Sequence, residues 1–166
     1  MRRAAIAAAL LILTVPAKAS ATWSIIVLDR ATGRIGAAAA SCTSDVYGIL
    51  GMVPGTGAVM AQAIEHQPAM REALRLLRAG AAPDSVLRVI TSVAIDSASQ
   101  DRQYGIATLA GGQVQFTGSA LHEYRGERHG DGVLIQGNIL AGPAVPIVRS
   151  RRSSRRVPPD GRSRRS

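Results

Sequence analysis

The sequence has a single cysteine, Cys42, which excludes an intramolecular disulfide. We expect Cys42 to be a small buried apolar residue, because no Cys-x-x-Cys pattern accompanies it. No lysine occurs after Lys18, so none of the glycine-rich stretches can form a phosphate-binding loop. The histidines are scattered and form no His-x-x-x-His pair, at His66, His122 and His129. We therefore predict neither a metal site nor a bound cofactor.

The sequence also lacks an apolar run of the roughly 20 residues that a membrane-spanning helix needs. Its longest apolar run, residues 4–16, follows Arg2 and Arg3 and precedes the small residues 17–21. This order is typical of a secretory signal peptide. We predict that residues 1–21 are removed on export and that the mature protein is secreted or periplasmic, with no membrane anchor.

The position of the cut decides which residue comes first in the mature protein. Cleavage after Ala21, at A-S-A, leaves Thr22 first, with a hydroxyl and a free α-amine on neighbouring atoms. Such a residue is a nucleophile that carries its own general base. Cleavage after Ala19, at A-K-A, leaves Ser20 first instead. We prefer the first cut, because it starts the mature chain at the first predicted strand.

The formal net charge of +9 is concentrated at the two ends of the chain. Residues 149–166 hold eight arginines against one aspartate, and the predicted signal peptide holds three more basic residues. Residues 22–148 keep nine basic and ten acidic residues, so this part is nearly neutral. It shows no basic stripe of the kind that binds a phosphate backbone. We therefore expect no nucleic-acid partner.

The body of the chain predicts a layered α+β domain. Alternating apolar residues predict a strand over residues 22–29, and a second strand, made of very small residues, follows over 34–43 after a turn at 30–33. The pairing of these strands brings Ser41 and Asp45 close to Thr22. A glycine-rich bend over 48–57 precedes a strand over 58–63. Helical spacing predicts helices over 67–79, ended by Gly80, and over 85–95, capped by Asp84. Strands follow over 102–109, 113–117 and 133–140, with a polar loop over 118–131. Runs of strands on either side of a helical pair favour antiparallel sheets.

The last eighteen residues, 149–166, differ sharply in composition from the rest. They are rich in arginine, serine and proline and have no apolar face. Such a segment cannot bury enough surface to order itself. It is either a disordered basic tail or the product of translation out of frame, and we favour the second reading.

Six motifs, in order, resemble the bacterial and archaeal DUF1028 proteins: TWSIIVLD (22–29), GAAAAS (36–41), GTGAVMAQA (55–63), RQYGIA (102–107), FTG (116–118) and QGNILAGP (136–143). That family is similar to the N-terminal nucleophile (Ntn) hydrolases. The resemblance covers about residues 22–148. It implies an αββα sandwich, with two antiparallel sheets between helical layers, and a hydrolase activity. Family members continue beyond Q-G-N-x-L-x-G with another helix and closing strands, so it also implies a fold that is incomplete at the C-terminus.

The resemblance gives four residues a catalytic interpretation. Thr22 would attack an amide carbonyl while its α-amine takes the proton, Ser41 and Asp45 would orient these groups, and Asn138 would stabilise the oxyanion. Proteasome-like relatives have a lysine beside the threonine, and residues 22–166 have none. Arg34 cannot replace it as a base. Alternatively, Thr22 is an ordinary first-strand residue and Asn138 a turn residue that bonds its own backbone.

Three functions follow from these readings. The first is a secreted amidase or peptidase acting on a small amide or peptide. The second is a non-catalytic secreted binding module, for example for cell-wall glycopeptide, and the third is an inactive truncated remnant. The sequence leaves homo-oligomerisation open.

Overall fold

A computed structural model describes residues 21–122 and 124–142, which form eight strands and two α-helices. In chain order they are β1 (Thr22–Asp29), β2 (Arg34–Ala40), β3 (Leu50–Val53), β4 (Gly57–Gln62), α1 (Gln67–Arg78), α2 (Pro83–Ile90), β5 (Gln103–Thr108), β6 (Gln113–Thr117), β7 (Gly126–Gly130) and β8 (Val133–Asn138). The strands build two antiparallel sheets that stack face to face. The predicted α+β class is confirmed.

The first sheet has the strand order β2–β1–β8–β7, and the second has the order β3–β4–β5–β6. Strand β1 lies inside the first sheet, between its hairpin partner β2 and the distant strand β8. In the β1–β2 hairpin, Gly33 adopts a positive φ of 68°, which glycine tolerates without strain. The pairing of β1 with β8 joins the two ends of the described chain, because it matches Thr22 with Asn138.

Side-chain alternation divides the protein into two apolar cores. Between the sheets lie Ile26, Leu28, Ala58, Met60, Ala107 and Leu134. The opposite face of the second sheet packs against both helices, through residues that include Val59, Tyr104, Ile106, Met70, Leu77, Val86 and Ile90. Strands β4 and β5 are buried along their whole length, because they face the other sheet on one side and the helices on the other.

The space between the sheets changes from apolar to polar along its length. Ile26 and Met60 fill one end, whereas the end nearest Thr22 holds the buried side chains of Ser24, Gln62 and Gln103. Buried polar groups cost free energy unless they are hydrogen-bonded. This end of the sandwich is therefore organised by hydrogen bonds and not by apolar packing alone.

Several element predictions were wrong in detail. The segment predicted as a glycine-rich bend contains strand β3, and the loop predicted over 118–131 contains the edge strand β7. The second helix begins at Pro83 and ends at Ile90, five residues before its predicted end, and its N-cap is Ala82 and not Asp84. The first helix ends at Arg78, one residue before its predicted end, and Gly80 follows in a positive-φ conformation.

Other predicted features are not found among the residues that the structure describes. Residues 21–122 and 124–142 contain one helical layer; a second layer, as in an αββα sandwich, is not among them. Three predictions lie outside the described residues: the signal peptide apart from Ala21, the incomplete C-terminus, and the tail over 149–166. No helix in these two ranges is long and apolar enough to cross a membrane.

Candidate functional site

Thr22 begins β1 at the polar end of the space between the sheets, and it meets Ser41 there. The Thr22 Oγ1 atom lies 2.8 Å from Ser41 Oγ, a hydrogen bond that either hydroxyl can donate. The hairpin register explains the contact: Trp23 pairs with Ala40, so the next residue beyond the ladder arrives opposite Thr22. The predicted proximity of Ser41 is therefore observed.

A cavity of about 250 Å³ opens beside this pair of hydroxyls. Its walls are the start of β1, the loop after β2, a short 3-10 turn at Tyr47–Ile49 and the end of β4. The lining residues are Thr22, Ser41, Thr43, Ser44, Asp45, Val46, Gly48, Ile49, Ala61, Gln62, Ala63 and Glu65. The structure thus brings three of the four predicted catalytic residues into one cavity.

The loop after β2 is shaped by its own hydrogen bonds. The Thr43 N–H donates to Ser41 Oγ over 3.4 Å, and the Thr43 hydroxyl donates to the Asp45 carbonyl oxygen over 2.8 Å. The Asp45 carboxylate accepts a hydrogen bond from the Tyr47 N–H over 3.3 Å. These bonds hold the Ser41 hydroxyl toward Thr22, whereas Asp45 contacts the loop backbone.

Asn138 is not among the residues that line the cavity. It is 3% exposed, and its Nδ2 atom donates to Gln103 Oε1 over 3.1 Å. Since its backbone pairs with that of Thr22, the two residues are neighbours across the β1–β8 ladder. Its role as an oxyanion donor stays a prediction.

Gln103 is the centre of a buried hydrogen-bond network that reaches the cavity. Its Oε1 atom also accepts from Gln62 Nε2 over 2.9 Å, and Gln62 Oε1 accepts from the Ser24 hydroxyl over 2.6 Å. The Gln103 Nε2 atom donates to Thr117 Oγ1 and to the carbonyl of Gly137, both over 3.1 Å. The network therefore links both sheets and fixes the Gln62 side chain in the cavity wall.

A buried ion pair anchors the segment that leaves β4 beside the cavity. Arg102 donates through Nε to Asp96 Oδ2 over 2.8 Å and through Nη1 to the carbonyl of Ile64 over 2.8 Å. The Tyr104 hydroxyl donates to the same Asp96 oxygen over 2.7 Å. The held segment includes Ala63, whose φ of 81° is unusual for a residue with a Cβ. This anchoring therefore helps to keep a strained cavity residue in place.

The contacts around Asp96 shift its own pKa and that of Tyr104. Burial alone would raise the pKa of Asp96, but hydrogen bonds from Tyr104 and Arg102 outweigh it and hold the pKa below the usual carboxyl value. Burial, followed by the hydrogen bond to Asp96, raises the pKa of the Tyr104 phenol. Both groups therefore keep their ordinary charge states at neutral pH, which suits a structural role.

Two further features that the sequence raised are the single cysteine and a metal site. Cys42 is exposed, so its expected burial is wrong. In the described ranges, no group of three or more His, Cys, Asp or Glu residues is arranged to hold a metal ion.

A family model matches the sequence of this protein. The family model DUF1028, a family of unknown function, matches residues 22–152, which is most of the chain. This chain belongs to the DUF1028 family. A search of curated proteins finds no match.

A solved DUF1028 structure resembles this DUF1028 protein in fold. It is the crystal structure of a DUF1028 protein from Silicibacter pomeroyi, with a TM-score of 0.72 and 28% sequence identity. The match covers 80% of this chain and 61% of the other. The two proteins therefore share the sandwich described above, and this chain spans about three fifths of the length of its relative.

The buried amide network of this DUF1028 protein was missed from its sequence. Gln62 and Gln103 lie in strands of mixed composition, where no local motif predicts a buried partner for either side chain. The available signal was period-2 alternation: Gln103 and Gly105 share one face of β5, away from Tyr104 and Ile106. A glutamine on a face that must be buried indicates a hydrogen-bonded partner on the opposite sheet.

Proposed function

We propose that this DUF1028 protein is an exported amide hydrolase with Thr22 as its nucleophile. The observation that carries the proposal is the 2.8 Å contact between the Thr22 and Ser41 hydroxyls at the mouth of a cavity. Threonine at the first position of β1 acquires a free α-amine once the Ala21–Thr22 bond is cut. Export by signal cleavage would make that cut, so the location outside the cytoplasm belongs to the same proposal.

The reaction follows from these two groups. The Thr22 hydroxyl oxygen attacks the carbonyl carbon of the amide, and the α-amine takes the hydroxyl proton. Collapse of the tetrahedral intermediate expels the amine product, which takes that proton, and leaves an ester on Thr22. Water, activated by the same α-amine, then hydrolyses the ester and releases the acid. Ser41 positions the attacking oxygen, because its hydroxyl is held by Thr43.

The proposal keeps Asn138, the neighbour of Thr22 across the β1–β8 ladder, in the oxyanion role that its sequence motif predicts. Its Nδ2 atom carries two hydrogens, and one of them is used by Gln103. The proposal assigns the second to an oxyanion that forms beside Thr22. Loss of one donor of this kind typically costs about 3–4 kcal/mol of transition-state stabilisation.

The size of the cavity supports a small substrate. Its volume of about 250 Å³ lies just under the ~300–1,000 Å³ of pockets that bury drug-sized ligands. A short acyl group next to the scissile amide would fill it.

The test is hydrolysis of a library of fluorogenic acyl-amides by the exported, processed protein. We expect Thr22→Ala to abolish turnover and Thr22→Ser to retain part of it, because serine keeps the hydroxyl and the amine. Thr32→Ala is the matched control, since Thr32 lies in the exposed β1–β2 turn and bonds Asp29. Rates should rise with pH as the α-amine deprotonates near pH ~8. Equal rates for wild type and Thr22→Ala would refute the mechanism, and binding without turnover would favour the non-catalytic module.

A further inference from the structure

Among the residues that the structure describes, those that line the cavity beside Thr22 include two carboxylates and no cationic side chain. Asp45 and Glu65 both line it, and the other ten lining residues are uncharged in their side chains. In the proposed mechanism the Thr22 α-amine acts only in its neutral form. The part of the cavity lining that the structure describes therefore carries two carboxylates and no compensating cationic side chain.

Contacts in the cavity wall fix both carboxylates. Asp45 accepts a hydrogen bond from the Tyr47 N–H over 3.3 Å. Glu65 accepts one from the Gln67 side chain, and its Oε1 atom lies so close to Gly48 that a Cβ at that position would overlap it. The glycine thus leaves room for the carboxylate against the backbone. Each carboxylate keeps a second oxygen that is not used by these bonds.

We propose that this cavity selects substrates with a positive charge, an ammonium or guanidinium group, on the acyl side of the scissile amide. The proposal rests on the proposed function, because it assigns the substrate class of the same site. Two carboxylates in the lining of one cavity attract a cation together, whereas an anionic group would be repelled by both. The unused oxygens are acceptors for its N–H groups. Asp45 and Glu65 are thus specificity residues.

The first experiment measures binding without turnover, in the processed Thr22→Ala protein. The probes are N-acetyl-lysinamide, its uncharged counterpart N-acetyl-norleucinamide, and N-acetyl-glutamate amide, each titrated by NMR. We expect the lysine probe to bind about tenfold more tightly than the norleucine probe, since two partly exposed ion pairs each contribute a few-fold. The preference should shrink in 0.5 M salt, which screens exposed charges.

Variants then assign the preference to the two carboxylates. Asp45→Asn and Glu65→Gln should each reduce it to about threefold, and the double variant should remove it. Asp84→Asn is the matched control, because Asp84 is an exposed carboxylate in the first turn of α2, outside the cavity. We expect this variant to keep the full preference. Equal affinity for the three probes, tighter binding of the glutamate probe, or an undiminished preference in the double variant would overturn the proposal.

The failure of charge selection and the failure of hydrolysis are distinguishable. Turnover is measured separately, with the lysyl and norleucyl aminocoumarin amides and the wild-type protein. A lysine preference in binding with no turnover of either amide would support the cation site and refute the hydrolase. Turnover of both amides at equal rates, with equal binding, would support the hydrolase and refute the cation site.

Discussion

Replacing Gln103 with methionine should destabilise this protein strongly, although the two side chains are similar in size. The substitution removes the acceptor of Gln62 Nε2 and Asn138 Nδ2 and the side-chain donor to the Gly137 carbonyl. All three groups belong to the buried space between the sheets. A buried polar group that loses its partner costs about 1–3 kcal/mol, so we expect a loss of roughly 3–5 kcal/mol after relaxation. That is a large share of the ~5–15 kcal/mol by which ordinary domains are stable.

The assay is urea denaturation followed by circular dichroism, with the free energy of unfolding extrapolated to water. Gln115→Met on the neighbouring strand β6 is the matched control. Gln115 donates one hydrogen bond, to the Ile135 carbonyl over 2.8 Å, and its Oε1 atom is buried without a partner. The free energy lost with that hydrogen bond and the free energy gained by removing the buried, unpaired oxygen should nearly cancel. We expect Gln115→Met to change the free energy of unfolding by less than about 1 kcal/mol. Equal losses for the two variants would refute the claim that Gln103 organises the polar end of the sandwich.

Two further predictions concern charge and packing elsewhere. Because the pKa of Asp96 is lowered in the folded protein, its contribution to stability is complete above the unfolded-state value near pH ~4 and is lost as the pH falls through the lowered value. The stability gap between wild type and Asp96→Asn, measured by urea denaturation, should therefore narrow below pH ~4; a gap that widens in acid would contradict the assignment. Gly57→Ala should lower the free energy of unfolding by more than about 1 kcal/mol, since a Cβ at this position would overlap the Ala107 carbonyl. Gly36→Ala should change it by less than about 1 kcal/mol, because a Cβ at Gly36 would enter open space. Similar melting temperatures for these two variants would show that the backbone contact is easily relieved.

The elements with strong local patterns were predictable from the sequence. Residues 22–29 alternate and end in a glycine-containing turn, and the β1–β2 hairpin forms there. Met70, Ala73 and Leu77 recur at helical spacing, and α1 buries them against the second sheet. In both cases the apolar pattern within one segment indicates which face of the strand or helix is buried.

The missed elements lack such a pattern. Strand β7 has the sequence GERHG, which contains no apolar residue, because an edge strand needs little burial and is protected by charge. Strand β3 has only four residues in a glycine-rich stretch. The second helix ends early because Thr91 and Ser92 turn their hydroxyls back onto the carbonyls of Leu87 and Val89.

The candidate site was predictable only in part, because several of its residues lie far apart along the chain. Ser41 could be placed beside Thr22 because a single hairpin joins them. Glu65 and Gln62 reach the cavity from the other sheet, and Gln103 meets Asn138 across 35 residues. Such contacts depend on how the two sheets stack, which no pattern within one segment encodes.

The proposed hydrolase depends on a free amine at Thr22, and the identity of the first residue tests this directly. The full-length gene is expressed in a bacterium with a secretory pathway, and the exported protein is analysed by intact mass and by N-terminal peptide sequencing. We predict a mature chain that begins with Thr22, in the exported fraction. A chain that begins with Ser20, or one that keeps Met1, would contradict the proposed chemistry.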